Sequence, residues 1–121
     1  MDKYTKEELQ EALKLVISTI TNCEKMHHKF AEGTSQHTLL KNRIKALYIS
    51  KYLIEDEDIT EKYTTEELEK ALAPVSSIIS KSEKAHQKAV EGTSTDTRLK
   101  KIIKAMDISK SLITNEISRR S

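Results

Sequence analysis

Leu9, Leu13, Val16, Ile20, Cys23, His27 and Phe30 follow one another in steps of four and three. That spacing keeps side chains on one face of an α-helix and predicts an amphipathic helix whose stripe faces a core. Leu68, Leu72, Val75, Ile79, Ser82, His86 and Ala89 repeat the same steps. Two further segments, starting near Gln36 and Thr95 and running to about Asp56 and Ile117, are apolar over a wider arc. In the first of them Leu39, Leu40, Ile44, Ala46, Leu47, Ile49, Leu53 and Ile54 cover more than half the circumference. Helices of this kind need partners on several sides. The pattern predicts an all-α fold: an up-down-up-down four-helix bundle made of two tandem helical hairpins.

The chain in fact says nearly the same thing twice. Lys3 to Glu57 laid over Lys62 to Glu116, a shift of 59 residues, gives 31 identities in 55 positions without a gap. One domain over residues 1–121 is therefore expected, with repeat 1 at about 3–57, an acidic link at about 55–61 and repeat 2 at about 62–116. Each repeat opens on a capping box. Thr5 with Glu8 and Thr64 with Glu67 offer reciprocal bonds, and Tyr4 or Tyr63 can staple onto Leu9 or Leu68. Gly33 and Gly92 are read as the left-handed residues that end the first and third helices, with Ser35 and Ser94 capping the helices that follow. Pro74, where the first repeat has Leu15, falls inside the third helix. It removes a backbone donor there, and a kink is expected.

Composition narrows the class further. Charged residues make up 33% and aromatic ones 4% of the 121 residues, as suits a helical domain, and the size allows a real core. Cys23 stands alone, so no internal disulfide forms. No apolar run approaches the roughly 20 residues of a membrane span, and Met1 is followed by charged residues, so the expected location is cytoplasmic with no membrane partner. The net charge of +2 hides a polar body. Stretches 24–45 and 81–104 hold twelve basic and five acidic side chains, a net of +7, and the rest of the chain is at −5.

Candidate chemistry clusters where that positive charge does. The turns carrying Thr34, Ser35, Thr93 and Ser94 put hydroxyls and helix N-termini beside Lys29, Lys88, Lys100 and Lys101, a setting for an anion, a phosphate or nucleic acid. Glu24-Lys25-Met26-His27 and Glu83-Lys84-Ala85-His86 share a Glu-x-x-His spacing. It resembles the ligand pairs of ferritin-like di-iron carboxylate bundles, a resemblance that covers only these two tetrads. The other two helices offer Leu40, Arg43, Ile44 and Leu99, Ile102, Ile103 at that level instead of bridging carboxylates. Glu24, His27, Glu83 and His86 are thus weak metal candidates, and no metal or other cofactor is expected. Cys23 lies on the apolar stripe and reads as a small hydrophobe.

Tyr48 and Tyr52 project from the less apolar side of the second helix, where the second repeat has Asp107 and Ser111, and are the candidates for meeting a partner. No catalytic residues stand out. The expectation is a small non-enzymatic interaction module that binds another protein or a second copy of itself, with anion or nucleic-acid binding at the basic end as the alternative.

Overall fold

The computed structural model describes residues 4–121, so Lys3, the first position of repeat 1, lies outside the described residues. Four helices follow one another: α1 (Lys6–His27), α2 (Ser35–Ile54), α3 (Thr65–Lys88) and α4 (Ser94–Arg120), with no strand among the described residues. None of the helices is long and apolar enough to cross a membrane. Each packs on its neighbours in sequence, and α1 closes the ring against α4. Across the middle α2 and α4 approach one another, whereas α1 and α3 do not. The two helices with the broadest apolar arcs are therefore the central ones.

Small residues line the faces that α2 and α4 bury. Ala46 and Ser50 lie four apart on α2, Ala105 and Ser109 four apart on α4, and all four are at most 1% exposed. Each serine satisfies its hydroxyl on its own helix, Ser50 on the Ala46 carbonyl and Ser109 on the Ala105 carbonyl, both at 2.9 Å. Around this seam Val16, Leu47, Leu68, Val75, Met106 and Ile113 complete the core.

Thr5 and Thr64 cap α1 and α3 in the expected boxes. The other two helix starts differ from expectation by one residue. Thr34 and Thr93, not Ser35 and Ser94, are the caps, because their backbones are extended and their hydroxyls accept from the amides of His37 and Asp96, both at 3.2 Å. Nor do the glycines end helices. α1 stops at His27 and α3 at Lys88, and Gly33 and Gly92, at φ 87° and 83°, sit just before the next caps. A side chain there would meet nothing within 4 Å, so backbone conformation alone favours glycine. Phe30 accordingly lies beyond α1, yet still packs on the core. α3 continues through Pro74.

Helix α2 ends in a Schellman motif around Asp56, at φ 60°. The Glu57 amide bonds the Tyr52 carbonyl at 2.9 Å and the Asp56 amide bonds the Leu53 carbonyl at 3.1 Å. The link is no loose tether. Ile59 is 1% exposed, and Arg120 donates to the carbonyls of Tyr63 at 2.7 Å and Ile59 at 3.1 Å. Glu116 holds that guanidinium at 2.9 Å, which explains why α4 outruns α2.

Two substitutions test this packing by denaturant unfolding. Ser50→Leu costs about 1–3 kcal/mol by overfilling a fully buried position, whereas Ser50→Ala stays within about 0.5 kcal/mol because the hydroxyl bonds only its own helix. Arg120→Ala, which removes the charged donor to two link carbonyls and leaves Glu116 with Arg119 alone, costs about 1.5–3 kcal/mol.

Candidate functional site

The hydroxyls expected to greet an anion at the hairpin turns are already engaged. Besides accepting from the next helix, Thr34 donates to the Ala31 carbonyl at 2.8 Å and Thr93 to the Val90 carbonyl at 2.7 Å. Ser35 and Ser94 are exposed first-turn residues, and Ser35 bonds the side chain of Gln36. At the start of α4 the chain supplies an anion of its own. Asp96, 4% exposed, accepts from the Gly92 amide at 3.0 Å, meets His86 Nε2 at 2.6 Å and faces Lys100 at 3.4 Å. The Gly92 amide, followed by His86 and Lys100, holds its carboxyl below the usual 3.8. Thr93-x-x-Asp96 was the signal available in the sequence, a cap followed three residues later by a carboxylate.

His37 stands in the place of Asp96 in the first repeat, and the pair changes character with it. His27 stacks on His37 with ring centroids 4.1 Å apart, His28 lies 6.2 Å off, and His27 Nε2 is shielded without a hydrogen-bond partner. Burial first, then His37, His28 and Lys41, push the imidazole below its usual 6.5, against a small opposing pull from Glu32. Lys101 pairs with Glu11 on α1 at 3.4 Å, while Lys29 and Lys88 are exposed and make no ion pair among the described residues.

The metal candidates are not gathered into a site. Glu24 accepts from the Tyr48 hydroxyl at 3.0 Å, Glu83 is exposed, and His86 belongs to Asp96. Among the described residues no three His, Cys, Asp or Glu side chains could share an ion. Cys23 is buried, and burial raises its thiol pKa. Tyr48 and Tyr52 are half-buried and form a row with Tyr63, the centroids 6.3 and 6.4 Å apart, with Lys62 4.5 Å over Tyr52. These rings hold the link onto α2.

A cleft of about 540 Å³ lies elsewhere, between α2 and α3. Ala46, Ala71 and Pro74 line it together with Leu39, Ala73 and Ser77, and Arg43, Lys45, Lys70 and Glu67 border it. Its counterpart 59 residues away, between α4 and α1, holds about 290 Å³. Matched positions explain the difference. Lys45 pairs with Glu67 as Lys104 pairs with Glu8, the latter at 2.7 Å and holding that carboxyl down to about 2. The second pair, Lys101 with Glu11, becomes Asn42 and Lys70, which do not bridge; Lys70 turns to Glu66 at 3.1 Å instead. Lys14 and Leu15 become Ala73 and Pro74, so the walls are shorter.

Arg43 occupies the place of Ile102. It makes no ion pair or hydrogen bond to a described residue, and its Nε is shielded without an acceptor. Leu39 is 58% exposed at the rim. In the sequence Arg43 is one basic residue among those of stretch 24–45, standing where a di-iron bundle would carry a carboxylate; the cleft exists only once α2 is packed on α3.

The two turns should respond differently to acid. Below pH 6.5 the unfolded chain binds more protons at His27 than the folded chain does, so stability falls as pH drops towards the lowered folded value. Asp96 adds a second loss below its ordinary 3.8. His37→Asp supplies the first turn with the carboxylate of the second and removes a neighbouring imidazole, so the His27 pKa should rise from its lowered value and the loss of stability on acidification should shrink. Thermal melts from about pH 5 to 7, with the His27 ring followed by NMR, check this; an unchanged slope in His37→Asp refutes it.

No family, no curated protein and no solved structure matches this chain, so what is said of the site rests on its own geometry.

Proposed function

We propose that this protein is a small non-enzymatic interaction module and that the α2/α3 cleft is the surface it presents. The observation that carries this reading is Arg43: a half-buried guanidinium, without an acceptor, beside an apolar lining and the exposed Leu39. A buried cationic donor left unpaired costs stability, typically about 1–3 kcal/mol. A partner bringing negative charge and apolar surface would relieve that cost. The matching cleft offers no such vacancy, because Ile102 stands in place of the guanidinium and the Lys101–Glu11 pair borders the opening.

The basic hairpin-turn end supports nucleic-acid binding less well. Lys29 and Lys88 make no ion pair there among the described residues, but Asp96 occupies the α4 N-terminus and engages Lys100. Contacts to phosphate would be few, and binding should collapse as salt rises, since each neutralised phosphate releases counterions.

A photoreactive residue replacing Leu39, compared with one replacing Arg98 at the matched position, tests the choice of surface in the cell of origin. The expected result is a discrete adduct at position 39, identified by mass spectrometry and lost with Arg43→Glu. Equal labelling at both positions, or labelling indifferent to Arg43→Glu, rejects the α2/α3 surface. Double-stranded DNA retained at physiological salt and released by Lys29→Glu with Lys88→Glu would move the working surface to the turns.

A further inference from the structure

We infer that the α2/α3 cleft binds a small amphipathic monoanion, a carboxylate carried on an unbranched or ring-shaped apolar body of modest size. This rests on the reading of that cleft as the working surface and names what it would hold.

Volume is the first ground. Small-molecule sites usually measure about 300–1,000 Å³. At about 540 Å³ the α2/α3 cleft falls well inside that range, and its counterpart at about 290 Å³ lies at its lower edge. The lining suits an apolar body, because Ala46, Ala71 and Pro74 place only short side chains against it and Leu39 overhangs one edge.

Charge decides the head group. Of the cleft's cations Lys45 and Lys70 are paired, Arg43 has no ion pair to a described residue and its Nε is shielded without an acceptor, and a guanidinium fork matches the two oxygens of a carboxylate better than a single-point acceptor. A neutral ligand would leave that fork unpaired. A second negative charge would meet Glu67, which its bond to Lys45 keeps ionised. One charge at one end of the ligand fits both constraints.

Full-length protein titrated with decanoate, decanol and decyltrimethylammonium, by calorimetry and amide NMR, tests the inference. Decanoate is expected to bind once per chain and to shift Leu39, Ala71 and Ser77, leaving Ala12 and Leu15 of the other cleft in place. Decanol should bind at least about tenfold more weakly, a difference of about 1.4 kcal/mol. Arg43→Met, which keeps an apolar stem, should bring decanoate to the level of decanol, whereas Ile102→Met should change nothing. Ala73→Trp fills the cleft from an exposed position and should block decanoate with the guanidinium intact, so the inference stays testable if Arg43→Met fails to fold.

Equal binding of decanoate and decanol, equal shifts at both clefts, or unchanged binding by Arg43→Met overturns the inference. Failure of decanoate while a glutamate-rich helical peptide shifts Leu39 and Ala71 also overturns it, but leaves the interaction module standing on a protein partner. If neither probe binds and position 39 yields no adduct, both readings fall.

Discussion

The close approach of α2 and α4 is the constraint on which the rest of the molecule depends. Helices that approach closely bury short side chains, and both α2 and α4 bury an alanine and a serine four residues apart. The serines add no polar cost, because each hydroxyl bonds back to the preceding turn. With the centre closed, α1 and α3 are pushed to opposite flanks and touch only α2 and α4. Both interhairpin clefts are products of that arrangement.

Much of this was legible in order along the chain. The four helices follow from stripe spacing, and the boxes at Thr5 and Thr64 hold as read. The acidic link is short and anchored because Ile59 is as apolar as any core residue. The errors have physical causes. Threonine and serine are adjacent in both turns, and which of them caps depends on backbone angles that composition does not reveal. A glycine marks a left-handed residue but does not say whether it closes one helix or leads into the next. Here it does the latter, after the chain has left α1 and α3 several residues earlier.

The site was less legible for a different reason. Thr34, Thr93 and the turn lysines are visible as polar residues, yet their bonds go to the next helix, to Asp96 or to Glu11. Arg43 is visible too, but its importance is relational: it depends on Ile102 filling the same place in the other hairpin and on Pro74 and Ala73 shortening the opposite wall. Repeats alike at 31 of 55 positions therefore yield unlike surfaces. The shared residues include the capping threonines and much of the core, and Arg43, Lys70, Ala73 and Pro74 of the larger cleft fall among the divergent ones.

The clasp at Arg120 governs how the second hairpin comes apart. By joining the end of α4 to the carbonyls of Ile59 and Tyr63, contacts 61 and 57 residues apart in sequence, it ties the whole second hairpin into a ring. Such a ring opens cooperatively, since releasing either end frees both. Helix α1 is held in another way: it buries Ala12, Val16, Ile20 and Cys23, and the ion pairs of Glu8 and Glu11 with lysines that are more than half exposed add ties to α4.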